Sequence, residues 1–423
     1  MPSTLAEVLS KDRVEFDELQ QSYNPVLKLV NVLIGVVPNC DRYLEIWPPG
    51  FLTYNLMVPN FLNLPAGLLG LGAPKDIVGL AMYTSSRAAE CMYCSAHTCS
   101  YALRRGSSAD AVTGASRTEA QAAAVAVAEA LSTVPHSYTP DLGDRLRQHF
   151  SAEDAEWIAM SVAMMGFLNK FMDAIGVELE AASVDDVADL IEPTGWSVGQ
   201  HGWAEDFEGG AAGADPDGGA GAANPPTDSV GTMLRVFRNA PGAFKLERRW
   251  MAGLPKGGQE LRSHIATNYH LDEPLLTTMG HTRVVRALAA MLRHNLDPEQ
   301  SDIGLATKAL VGLVFAEHVG NRHLLKQATG LARHHGVADD VISAARSYRP
   351  GSELDGLDGV DDKVAAAIAT AYDIAPSPSA VRPEVIDLAQ SVLTAAETVE
   401  IAVWVSVCQL MHRLSVFFQF DEA

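Results

Sequence analysis

Glu90-Cys91-Met92-Tyr93-Cys94-Ser95-Ala96-His97-Thr98 brings two thiols, an imidazole and a carboxylate into one short run, spanning about two to three helical turns. At roughly 100° per residue, Cys91, Cys94 and His97 fall about 60° apart in succession on one helix, with Glu90 at an angle between Cys94 and His97. All four are therefore expected to face one pocket. Thiols at this spacing can close to a disulfide and reopen, and an imidazole one turn along can take a thiol proton and favour the nucleophilic thiolate. The run predicts an apolar helix carrying redox chemistry.

Other chemistries of the same residues fit less well. Zinc would need Cys91, Cys94, His97 and Cys99, yet Cys99 sits at least about 80° round the helix from the others, and one straight helix does not wrap a tetrahedron. No metal is therefore assigned. A structural disulfide is disfavoured because five cysteines in 423 residues, with no secretion signal at the start of the chain, suit a reducing compartment. Inert buried thiols are the competing expectation, since cysteine is among the most buried residue types.

Cys91-x-x-Cys94 with Tyr93 before the second thiol, then His97-Thr98, then Gly106 closing the helix, resembles the active-site helix of the AhpD-like alkylhydroperoxidase and carboxymuconolactone decarboxylase superfamily. The run Gly166-Phe167-Leu168-Asn169-Lys170-Phe171-Met172-Asp173-Ala174-Ile175-Gly176 resembles a later helix of that family, and the likeness covers residues 60 to 180. The resemblance implies an all-α fold with Cys94 as peroxidatic thiol, Cys91 as resolving thiol and His97 as relay base. Two departures stand out. His97 follows Cys94 by three residues rather than four, and the family's relay Glu would fall near Gly79, where Asp76 is the closest acid upstream. Glu90 is the substitute that helix geometry offers.

The chain is long enough for two or three domains. Its most apolar early run, from Val26 to Val37, is interrupted by Lys28 and Asn31 and stopped by Pro38, too short to span a bilayer. With no basic-then-apolar leader at Met1-Pro2-Ser3-Thr4, a cytoplasmic protein without a membrane partner is expected. A net charge of -21, from 31 basic and 52 acidic residues, argues against nucleic acid. The pairs His334-His335 and His318 with His323 are expected on helix surfaces or in a polar core.

Residues 5 to 200 are rich in Ala, Leu, Met and Val at helical spacing, which predicts helix nearly throughout. Ser116-Arg117-Thr118-Glu119 has the form of a capping box, and Ser151-Ala152-Glu153-Asp154 opens a helix whose Met160, Met164 and Met165 are expected as core filler. Residues 204–229 are a Gly, Ala, Pro and acid tract that buries too little apolar surface to offset chain entropy, so a flexible linker is expected.

The second half echoes the first. Pro38 and Trp47 recur as Pro241 and Trp250; Asp76 to Ala81 as Ala309 to Val314; Ala102 to Gly106 as Ala332 to Gly336; and Ile158-Ala159 before Asn169-Lys170 as Ile401-Ala402 before His412-Arg413. The second copy has no dithiol, reading Glu317-His318-Val319-Gly320-Asn321-Arg322-His323 at that place. The expected organisation is two tandem AhpD-like copies, 1–203 and 230–423, packed as a possible pseudo-dimer, with further homo-oligomerisation open and a separate pocket at His318, Arg322 and His323 as the alternative.

Together with the resemblance, these residues point to a thiol-dependent peroxidase or disulfide oxidoreductase. No glycine-rich dinucleotide fingerprint follows a strand, so no cofactor is assigned and the reductant is expected to be a protein or a small dithiol. A carboxymuconolactone decarboxylase-like lyase and a non-enzymatic redox sensor are the alternatives.

Overall fold

The computed structural model describes residues 3–185, 187–204, 228–352, 354 and 359–421. Among these the chain is all-α, with an isolated parallel bridge between Leu179 and Trp203. The helices of ten or more residues are α1 (Phe16–Ile34), α2 (Pro48–Phe61), α3 (Lys75–Ala88), α4 (Met92–Arg104), α5 (Glu119–Ser132), α6 (Pro140–His149) and α7 (Ala152–Ile175) in the first half. The second half contributes α8 (Val230–Trp250), α9 (Gly258–Tyr269), α10 (Thr282–Leu296), α11 (Leu305–His318), α12 (Arg322–His334), α13 (Asp362–Ile374), α14 (Pro383–Val392) and α15 (Ala395–Phe417).

The centre is the pair α7 and α15, the most extensive helix contact in the molecule. Both are apolar on nearly every side, which is the pattern of a helix surrounded by protein. Each has the length and hydropathy of a membrane span, yet 94% and 100% of their most apolar windows are buried inside the fold. They are its core helices. Ser151 caps α7 by accepting from the Asp154 N–H at 3.1 Å, as its sequence predicts. The capping box of α5 sits two residues later than expected: Thr118 accepts from Gln121 N at 3.2 Å while Gln121 Oε1 accepts from Thr118 N. Both registers satisfy the sequence pattern, and the later one leaves Ser116 and Arg117 in the turn before the helix.

The halves interlock beyond the central pair. α1 packs on α8 where a Cβ at Gly242 would lie 2.7 Å from Pro25 Cβ. α2 packs on α10, where Asn295 Nδ2 donates to Thr53 Oγ1 at 2.9 Å. Two of the sequence echoes occupy matching places in matching helices, the ends of α4 and α12 and the polar pairs late in α7 and α15. The other two do not. Trp47 precedes α2 whereas Trp250 ends α8, and Gly79 is the fifth residue of α3 whereas Gly312 is the eighth of α11. Apolar helices of similar composition align by chance in more than one register.

Residues 205–227 of the expected linker lie outside the described residues. Its flanks are docked. Ala204 N donates to Leu179 O at 2.9 Å, and Asp228 pairs with Arg105 and, at 3.3 Å, with Lys75.

α3 and α4 approach so closely that a Cβ at Gly79 would stand 2.8 Å from the Ala102 Cα. Alanine in a helix interior gains about 1 kcal/mol over glycine by propensity. Here that gain is outweighed by a contact with backbone, which cannot rotate aside. Gly79→Ala should therefore destabilise by about 1–2 kcal/mol, read as a lower urea midpoint, and an unchanged or raised midpoint would contradict this packing.

Candidate active site

The chain reverses between α3 and α4 at Ala89 and Glu90. Glu90 adopts φ +58°, a left-handed conformation uncommon for a residue with a Cβ, and it is exposed. The expectation that Glu90 shares the pocket is corrected by this turn, because the residue lies outside the helix whose periodicity would have placed it there. Cys91 is not in the helix either. It is the N-cap of α4, with φ −81° and ψ 105°, and its Sγ accepts from the Cys94 N–H at 3.4 Å. The cap holds the first sulfur against the first turn that carries the second.

Cys94 lines a narrow cavity of about 80 Å³, walled by α1, α2, α3, α4 and α7. Its wall is largely apolar. Met82, Met164, Met165 and Met172 contribute to it, so two of the methionines expected as filler also line the cavity. Besides Cys94, the side chains of Cys40, Tyr54, Tyr93, His97, Thr98 and Tyr101 supply the polar atoms. Cys91 lies behind this wall, fully buried. Burial pushes the Cys91 thiol well above the usual thiol range, reinforced by its hydrogen bond with Cys94. Burial also raises Cys94, with the Cys91 hydrogen bond and Arg413 pulling the other way.

His97 faces the same cavity, but its ring nitrogens are engaged by groups other than the thiols. Nδ1 is 3.0 Å from the Tyr93 carbonyl, which fixes it as N–H. Nε2 is 3.0 Å from Ser183 Oγ and 3.1 Å from Glu180 Oε2. Tyr93 stacks on the imidazole at 4.4 Å and donates to the other Glu180 oxygen at 2.9 Å. Ser183 can donate to Nε2, and the Glu180 carboxylate stands beside the same nitrogen. Glu180 thus stands where the sequence offered only Glu90, and it arrives from downstream, on the segment after Gly176 ends α7 with φ +74°.

That segment also brings an imidazole to the first thiol. The backbone of Leu179 pairs with Gly202 and Ala204, which seats His201 beside Asp173 of α7. His201 Nε2 is 3.1 Å from Asp173 Oδ1, and Nδ1 is 3.0 Å from the Val177 carbonyl. Cys91 Sγ, an Asp173 oxygen and a His201 nitrogen all lie within 4.8 Å of one another, fully enclosed. Burial opposes charge on His201, but Asp173 and Cys91 outweigh it and raise the imidazole to about 10. Among the described residues this is the cluster whose donor types and spacing suit a metal ion. With both nitrogens donating as N–H, His201 has no lone pair to offer one.

α15 completes the surroundings from the second half. Arg413 donates from Nη1 to Ser85 Oγ at 2.6 Å and to the Val162 carbonyl at 2.8 Å. Its guanidinium fits because residue 166 is glycine, where a Cβ would stand 2.9 Å from Arg413 Nε. Conversely, Lys170 of α7 reaches the second half, donating to Ala375 O at 2.9 Å, to Ser377 Oγ at 3.1 Å and to Pro376 O. At the corresponding turn before α12, Asn321 replaces the capping thiol and accepts from Leu324 N at 3.0 Å. His323 there is buried, with Nε2 3.7 Å from Glu273.

No protein-family model and no curated protein matches this chain. Among solved structures it is similar to the apo crystal structure of the debrominase Bmp8, at 26% identity and TM-score 0.37, over 43% of this chain and 95% of that one. A cysteine-to-alanine variant of Bmp8 in complex with 2,3,4-tribromopyrrole is similar at 24% identity and TM-score 0.37, with the same coverage. A likeness at that TM-score decides neither the fold nor the chemistry of this chain.

Proposed function

We propose that this protein is an AhpD-like thiol oxidoreductase that reduces an organic hydroperoxide through Cys91 and Cys94. The observation that carries the proposal is that Cys94 opens onto an apolar cavity while Cys91 is held against it as the helix cap. The Cys94 thiolate attacks the distal peroxide oxygen, the O–O bond breaks, and the alkoxide leaves with a proton supplied through the His97, Ser183 and Glu180 station. Cys91 then displaces hydroxide from the Cys94 sulfenic acid, forming the disulfide. A protein or small-dithiol reductant reopens it.

The cavity's make-up supports a neutral, largely apolar substrate. A decarboxylase-like lyase acting on a carboxylate-bearing lactone would need a cation at the cavity wall, and among the described residues neither Lys nor Arg lines it. For the two halves we propose a duplicated origin and a pseudo-dimeric arrangement, supported by the similar order of helices, the α7–α15 pairing, and the exchange of Lys170 and Arg413 across it.

One equivalent of cumene hydroperoxide added to the prereduced protein should remove two thiols, with peptide mapping locating a Cys91–Cys94 bridge. Oxidation confined to Cys40 or Cys408 would overturn the assignment. Stoichiometric oxidation without turnover in the presence of excess dithiol would point to a sensor.

A further inference from the structure

We infer that Asp173 takes up the proton of Cys91 while His201 holds the pair as a fixed cation, making the segment after α7 a working part of the dithiol site. This rests on the assignment of Cys91 as resolving thiol. The argument begins from geometry: thiol, carboxylate and imidazole lie within 4.8 Å of one another in full enclosure. A buried thiol far from water has no solvent base to ionise it, so its proton needs an internal acceptor. Asp173 is that acceptor.

The imidazole has a different task. With Nδ1–H donated to Val177 O and Nε2–H donated to Asp173, it stays a cation, and a cation beside a forming thiolate offsets the charge that burial disfavours. The other groups facing this trio are Cys94; Tyr93, whose ring lies 5.6 Å from that of His201; Lys170, which acts on Asp173 and Cys91; and Arg413, which acts on Cys94. In the resolving step the Cys91–Cys94 S–S bond forms and the bond from Cys94 sulfur to its leaving group breaks. The Cys91 proton passes to Asp173 and then to the departing group, while His201 keeps its charge throughout.

The test uses the full chain and dithiodipyridine, which requires no peroxide chemistry. Cys94 attacks the probe and releases one thiopyridone; Cys91 then attacks the mixed disulfide and releases a second. In the wild-type protein the second release should change less than about threefold between about pH 6 and 9, because the proton is transferred internally. In His201→Gln and Asp173→Asn it should slow about tenfold or more at neutral pH and acquire a steep rise with pH, while the first release stays within about twofold in His201→Gln and does not slow in Asp173→Asn, whose carboxylate holds the Cys94 thiol up in the wild type. The undiminished first release certifies folding. A wild-type second release that climbs about tenfold per pH unit would overturn the inference without any variant, as would unaltered second phases in both variants. If hydroperoxide fails to oxidise the dithiol while these phases behave as stated, it is the substrate assignment that falls and not the role of the pair.

Discussion

Cys94→Ser should lower hydroperoxide turnover by about a thousandfold or more, since removing an activated nucleophile leaves only what binding contributes. A serine hydroxyl occupies nearly the same volume in the cavity, so the fold and the substrate site persist while the sulfur chemistry is lost. Cys91→Ser differs in kind: the first turnover survives and stops at a Cys94 sulfenic acid, trappable by a sulfenate reagent. Stopped-flow mixing with the prereduced proteins separates the two. The wild-type first step should also quicken as pH rises, because burial holds the Cys94 thiol above its ordinary range and keeps the thiolate scarce at neutrality. Undiminished turnover in Cys94→Ser would remove the mechanism altogether, and a first step that slows with rising pH would remove Cys94 as its nucleophile.

What the sequence disclosed about this site follows from the range of its patterns. Helical period and caps are local, and they gave the all-α class, the start of α7 at Ser151 and the nearness of Cys91 to Cys94. The same period misled at Glu90, because it assumed that the helix already ran through residue 90, whereas the chain turns there at positive φ and begins the helix after a thiol cap. Glu180, Ser183 and His201 were out of reach for a different reason. They sit in short, irregular structure after Gly176, with no period to read, and their place is fixed by the pairing of Leu179 with Gly202 and Ala204. The glycines around His201, in Gly199-Gln200-His201-Gly202, mark a tight turn but carry no signal of what it packs against. Arg413 was visible as the echo of Lys170, but its proximity to a thiol more than three hundred residues away depends on the α7–α15 packing.

Lys170 should contribute stability that grows as pH rises from about 7 toward 10, seen as a widening gap between the wild type and Lys170→Met. Burial drives its ammonium down from 10.5 to about 7, with Arg413 adding repulsion while Asp173 and Cys91 pull the other way. In the unfolded chain a lysine titrates near 10.4. Between those values the unfolded chain holds a proton that the folded one lacks, so unfolding becomes harder as protons grow scarce, by up to about 1.4 kcal/mol per pH unit. Below about pH 7 both states hold the proton and the slope from this group vanishes. His201, raised to about 10, and the buried thiols, raised by burial, act in the opposite sense over the same interval, so the lysine's part is read from the difference between the wild type and a variant that lacks it. Lys170→Met removes the slope and strips the carbonyls of residues 375 and 376 of a donor, at about 1–3 kcal/mol. The variant should therefore be clearly less stable than wild type near pH 9, and the gap should narrow toward pH 6, where the wild type must bury a charge that methionine does not carry. Urea midpoints across this range measure the gap directly. Parallel curves for the two proteins would mean that Lys170 keeps its proton inside the fold, held there by the Ala375 and Pro376 carbonyls and Asp173 strongly enough to cancel the effect of burial.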